Sequence, residues 1–157
     1  MVKFLSKYSL YLTTAVGISI LVYLLLDWSI ISTLQRLVCF MMIAVTMHEW
    51  EEKLFGFAEL TSQNLNVSAD QVDNNIGHFA LFLLTLYVGV VPLFFPDVIW
   101  LSATVMILGI LETASHIAAV RMEKKGKLYT AGMVTAFTIL PALSIYGFFY
   151  IISRNLM

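Results

Sequence analysis

The chain has three histidines, and each has an acidic or amide partner nearby in sequence. His48 opens the string His48-Glu49-Trp50-Glu51-Glu52. Asn74 stands four positions before His78, and Glu112 four positions before His116. Residues at i and i+4 share a helix face, one turn apart. A helix would therefore align His48 with Glu52, with Glu51 close beside them. The same spacing aligns Asn74 with His78 and Glu112 with His116. Imidazoles with carboxylates and no thiolate form a nitrogen and oxygen donor set suited to zinc, iron or manganese. Six potential donors, His48, Glu51, Glu52, His78, Glu112 and His116, exceed what one tetrahedral ion needs. Either one ion is held and the remaining carboxylates do acid–base work, or two ions share bridging carboxylates. Bundle proteins with two metals use Glu and Glu-x-x-His on facing helices. The spacing here differs, so that comparison is an analogy.

The elements that must position these groups are apolar helices. Of 157 residues, 60% are hydrophobic and 12% charged, against about half apolar and about a quarter charged in soluble domains. That balance points to an integral membrane protein and excludes disorder. Nine basic and ten acidic residues leave a net charge of −1, which excludes a strongly basic nucleic-acid binder. One cysteine, Cys39, excludes a disulfide within the chain and sits mid-span as apolar packing. Spans of about 20 apolar residues are expected at about residues 8–26, 29–52, 76–95, 98–120 and 131–152. The expected fold is an all-α membrane bundle of about five transmembrane helices, a single domain with a loop at about 53–74. The first span follows Lys3 and Lys7, as in a signal peptide. Its apolar run is longer than a signal core and no small-x-small site follows, so it reads as an uncleaved span.

Charge sets the orientation. Lys3 and Lys7 precede span one, Lys53 follows span two, and Arg121, Lys124, Lys125 and Lys127 follow span four. The positive-inside rule then places the N-terminus in the cytoplasm and the C-terminus outside the cytoplasmic membrane. The lysine cluster after span four also suits anionic lipid headgroups. Arg36, inside span two, is expected to snorkel toward the outer face. His48 lies roughly 7 Å along a helix from Lys53, His116 roughly 7 Å from Arg121, and His78 roughly 6 Å from Asn74, at 1.5 Å rise per residue. All three imidazoles thus reach one depth near the cytoplasmic face. Glu112 lies roughly 13 Å in by the same rise, where a carboxylate must be neutral, paired or bound to a cation. The stripe Val105, Leu108, Gly109, Glu112, His116 and Ala119 is expected to face other helices.

With these motifs in order, the chain resembles the HXXEE membrane proteins, which carry a His-x-x-Glu-Glu motif (His48, Glu51, Glu52) followed by Asn-x-x-x-His (Asn74, His78) and Glu-x-x-x-His (Glu112, His116). The resemblance runs from about Leu34 to the C-terminus. It supports a metal site without naming a reaction.

For one ion, His48, Glu52, His78 and His116 are the expected ligands, with Glu112 in the donor set and Asn74 hydrogen-bonding behind a ligand. Two readings of the base remain. The string is similar to the His-x-x-Glu-His arrangement of some zinc peptidases, which makes Glu51 the general base; it is also a variant of His-Glu-x-x-His, which makes Glu49 the base. The family motif favours Glu51. The bland alternatives are a solvated helix end for Glu49, Glu51 and Glu52, a histidine merely bonded to Asn74, and a packing ion pair for Glu112 and His116. The first is weakened because negative charge is unfavourable at a helix C-terminus.

The expected function is a metal-dependent membrane enzyme, preferably a hydrolase with zinc, acting on a lipid or amphiphile at the cytoplasmic leaflet. The rivals are a metal-ion or proton transporter, a structural or regulatory subunit with a polar packing network, and a di-iron oxidative enzyme.

Overall fold

A computed structural model describes the backbone of residues 2–59, 62, 68, 76–122 and 131–156; side chains are described from residue 8 in the first helix, from 82 in the third and as far as 121 in the fourth. The described residues are helical, with no strand among them.

The first helix, α1, is Val2–Leu26. Its hydroxyls bond back into the helix: Thr14 Oγ1 donates to the Leu10 carbonyl at 2.7 Å and Ser19 Oγ to Ala15 at 2.9 Å. Polar side chains satisfied in this way suit a helix that has lipid rather than water around it. After Leu26 the chain turns, and the Asp27 carbonyl accepts from the backbone N–H of Ile30 and Ile31.

That turn moves the start of the second helix, α2 (Thr33–Leu54), past the expected residue 29. Ser32 caps it in a reciprocal box: the Gln35 N–H donates to Ser32 Oγ, and the Ser32 N–H donates to Gln35 Oε1. Arg36 stays at this end, its Nη2 donating to the Trp28 carbonyl at 2.7 Å and its guanidinium 4.5 Å from the centre of the Trp28 ring.

The third and fourth helices, α3 (Ile76–Phe94) and α4 (Ile99–Met122), follow the expected bounds closely. The fifth expected helix is two: α5 (Met133–Phe137) and α6 (Ile139–Ser153). Pro141 explains the break. It has no N–H for the carbonyl four residues earlier, Phe137, and its ring crowds that carbonyl. The helix therefore steps at Thr138 (φ −118°, ψ −74°).

The second helix is the hub, packing against α1, α3, α4, α5 and α6. Its Leu37, Val38, Met41, Ala44 and Val45 form the main core with Val105, Met106 and Leu108 of α4 and Leu140 of α6. Lipid tails are as apolar as these side chains, so close fit rather than water exclusion holds such helices together. Gly109 provides that fit between α4 and α6: a Cβ there would meet Ser144 Oγ and come within 2.9 Å of the Leu140 carbonyl oxygen. Val105, Leu108 and His116 of the expected inward stripe are buried, as is Cys39.

The outer faces carry exposed large apolar side chains, among them Leu25, Trp100, Leu111, Ile145 and Phe149. Among the described residues three helical stretches, Tyr8–Leu26, Ile99–Arg121 and Met133–Ser153, are long and apolar enough to cross a membrane. Such a surface matches a bilayer environment.

Candidate metal centre

The last turns of α2 and α4 lie side by side under the start of α5. On α2, His48 and Glu52 share the inward face, as their spacing requires. On α4, His116 faces them. Both imidazoles are buried, His48 at 2% exposure and His116 at 1%, inside a mainly apolar bundle.

Their ligating atoms converge. His116 Nε2 lies 3.4 Å from His48 Nε2 and 3.3 Å from Glu52 Oε1. His48 Nε2 lies 3.6 Å from Glu52 Oε1. These three residues form a group whose ligand atoms could hold a metal ion. Metal bonds of about 2.0–2.1 Å with tetrahedral angles separate ligand atoms by about 3.3–3.4 Å. The observed triangle is within a few tenths of an ångström of that size. The two rings meet edge to face, 5.0 Å between centroids at 83°, so both nitrogens aim at one region rather than stacking.

Glu112 borders the group from α4, with Oε2 3.7 Å from His48 Nε2. The carboxylate side chains of Glu52 and Glu112 keep 20% and 24% exposure, so the buried imidazoles connect to the outside through these two acids. Glu49, half-buried beside His48, lies within electrostatic reach of Glu52, His48 and Glu112. Phe57 sits beside the cluster, its ring centroid 6.2 Å from that of His116.

Glu51 is turned by one residue from Glu52, and this sends it to another partner. Its Oε1 accepts the Val134 N–H at 2.8 Å. Its Oε2 accepts the Thr135 N–H at 2.9 Å and the Thr135 hydroxyl at 2.7 Å. The cap of α5 is Gly132, which has no side chain to satisfy the N–H groups of the first turn. Glu51 does so from α2. Thr135 Oγ1 in turn lies 2.8 Å from His48 Nδ1.

Three residues that the sequence reading passed over complete the centre. Thr135 joins Glu51 to His48. Gly132 (φ +88°) brings the backbone down onto the cluster: a Cβ there would stand 2.7 Å from His48 Cε1 and 2.8 Å from Glu52 Cγ and His116 Cε1. Thr113 Oγ1 donates to the Ala136 carbonyl at 2.6 Å and ties α4 to α5. All three lie inside or against runs that read as ordinary apolar helix. The one local signal was a glycine just ahead of a threonine where a span begins.

His48, Glu52 and His116 are thus brought together with Glu112 at their side. His78 belongs to the first turn of α3, but its side chain and the whole of Asn74 lie outside the described residues.

A family model described as a protein of unknown function with HXXEE motif matches residues 39–146. The chain belongs to the HXXEE family. The HXXEE match starts within α2 and ends within α6. It therefore contains His48, Glu51, Glu52, Glu112, His116 and Thr135, and leaves α1 outside. Trp50 nonetheless fastens α1 to this end of α2, its Nε1 donating to Thr14 Oγ1 at 2.8 Å. No curated protein and no solved structure shows a significant match to the chain.

Proposed function

We propose that this chain is a membrane metalloprotein whose ion is held by His48, Glu52 and His116, and that it is a metal-dependent hydrolase of lipids or other amphiphiles. The observation that carries the metal reading is the mutual 3.3–3.6 Å spacing of three ligating atoms, two of them on buried imidazoles. Buried polar nitrogens facing each other and a carboxylate are costly unless something positive lies between them. Among the described residues three side chains supply ligand atoms, and catalytic zinc sites use three protein ligands with a further position for water or substrate. A divalent ion there would act as a Lewis acid on a substrate carbonyl or phosphoryl oxygen, or on water.

The chain's own residues divide the remaining work. Glu112, beside His48 and partly exposed, is the proton acceptor in this reading. Glu51 is not free for that role, since both its oxygens accept from α5. The amphiphile reading is supported by apolar side chains at the same end of α2 and α4 as the two partly exposed acids: Leu54, Phe55, Leu111 and Ile117 are all exposed. A substrate with an acyl chain and a polar head could lie along them. Lys53 and Arg121 end the same helices, so the positive-inside argument makes this the cytoplasmic end of a five-span protein.

The test is elemental mass spectrometry on untagged, detergent-purified protein, beside a His48→Ala, His116→Ala double variant. About one equivalent of zinc, iron or manganese in the wild type, lost in the variant, is the expected result. Wild-type protein that takes up none of the three after reconstitution would sink the proposal.

A further inference from the structure

We infer that Glu51 and Thr135 are positioning residues that fix the proton of His48 on Nδ1 and so present a bare Nε2 to the cluster. The purpose of this arrangement rests on the metal reading above; its geometry does not.

The argument is a count of protons. A carboxylate only accepts. Glu51 already takes the N–H groups of Val134 and Thr135, one on each oxygen. The Thr135 hydroxyl has a single hydrogen and three possible acceptors: Glu51 Oε2 at 2.7 Å, the Gly132 carbonyl at 3.2 Å and, if bare, His48 Nδ1 at 2.8 Å. Giving the hydrogen to either of the last two would leave an oxygen lone pair facing the Glu51 carboxylate. The nearer and charged acceptor makes the stronger bond. With its hydrogen given to Glu51, Thr135 Oγ1 can only accept from His48 Nδ1, 2.8 Å away. The Nδ1 must therefore carry a hydrogen. In the neutral ring the other nitrogen then has none. That nitrogen, Nε2, is the one lying 3.4 Å from His116 Nε2, 3.6 Å from Glu52 Oε1 and 3.7 Å from Glu112 Oε2.

This assigns different work to the two glutamates of the motif. Glu52, four residues after His48, stays on its face and supplies a donor. Glu51, three residues after it, leans toward α5 and acts on His48 through Thr135. Metal-bound histidines commonly donate their second N–H to a carboxylate or carbonyl, and loss of that partner costs about 10–100-fold in affinity. Here a hydroxyl stands between ring and carboxylate. The same Glu51 oxygens hold the first turn of α5, so ordering of that turn and orientation of the histidine are one event.

The experiment uses full-length protein in detergent with 15N-labelled histidine. Three histidines keep the spectrum simple, and His48→Ala identifies the His48 signals. At a pH where the ring is neutral, His48 is expected as the Nδ1–H tautomer in the wild type. Thr135→Val should lose that preference and Thr135→Ser should restore it. Zinc affinity, measured by competition with a chromophoric chelator, should fall about 10–100-fold in Thr135→Val and in Glu51→Gln and return with Thr135→Ser. A wild-type His48 protonated on Nε2, or a tautomer unchanged in Thr135→Val, would overturn the relay. Correct tautomers in a wild type that binds none of zinc, iron and manganese would uphold the relay and overturn the metal reading instead. A packing role alone would lower stability in Thr135→Val without moving the tautomer.

Discussion

Gly132→Ala is the most direct perturbation of the centre that leaves every ligand in place. Two costs follow from the geometry. Gly132 has φ +88°, in the left-handed region, where a side chain costs about 1–2 kcal/mol. The added methyl would also stand 2.7–2.8 Å from His48, Glu52 and His116 at once. These neighbours are two buried rings and a carboxylate stem rather than the ends of flexible chains, so overpacking adds about 1–3 kcal/mol. The sum is about 2–5 kcal/mol, or roughly 4–20 °C in melting temperature at about 2–4 °C per kcal/mol for a chain of this length. Gly56→Ala is the matched control. It has φ +78°, but its Cβ would meet only the end of Glu59, at 3.1 Å. It therefore carries the backbone cost and little of the contact cost. The assay is thermal unfolding in detergent by intrinsic tryptophan fluorescence, with zinc affinity measured in parallel. The expected result is a clearly larger loss for Gly132→Ala than for Gly56→Ala, and weakened zinc binding in Gly132→Ala alone. Equal melting temperatures and equal affinities in the two variants would refute the claim that the backbone at Gly132 lies against the three ligands.

Two further substitutions separate roles that spacing alone leaves mixed. Glu112→Gln should keep the metal equivalent and abolish hydrolysis across a panel of phospholipid and acylglycerol substrates, whereas Glu49→Gln should keep both; a Glu112→Gln protein with unaltered turnover would remove Glu112 as proton acceptor. Cys39→Ala should leave metal content unchanged and lower stability by about 1 kcal/mol, as expected for a small buried side chain; loss of the ion in that variant would mean that a thiol takes part after all.

The parts of this protein written in local periodicity were legible, and those written by tertiary contact were not. The apolar runs locate α1, α3 and α4 closely, because a helix that crosses a bilayer needs about 20 predominantly apolar residues. The spacing of His48 and Glu52 places both on one face, and the inward stripe of α4 follows from small and polar residues at helical intervals. What spacing cannot say is which neighbour a face meets. Glu51 and Glu52 are adjacent and chemically identical, yet about 100° of helix turn aims one at α5 and the other at His116. The reading of Glu51 as a base came from motif resemblance, and nothing local reveals that two backbone N–H groups and a hydroxyl wait for it 83 and 84 residues later. The break at Thr138 was more accessible: a proline inside an apolar run removes a bond to the fourth residue before it. The apolar neighbours of Ser29 extend the run back beyond the helix, while the capping pair Ser32 and Gln35 marks the start of α2.

That break has a consequence for the centre. A continuous helix would extend α6 back as a straight rod, with its first turn carried along the α6 axis. The step at Thr138 detaches a five-residue helix, and the bond from Thr113 to the Ala136 carbonyl holds it against α4. Only then can the N–H groups of its first turn face Glu51 on α2 and its Thr135 reach His48. Among the described residues the candidate site is therefore assembled from three helices, with α2 and α4 giving the candidate ligating atoms and α5 the groups that contact His48 and Glu51. No single motif contains all three parts. This is why the pair Gly132 and Thr135, which has no ligand chemistry of its own, stands in the same cluster as the histidines, and why substitutions there should affect the metal as much as substitutions in the motifs.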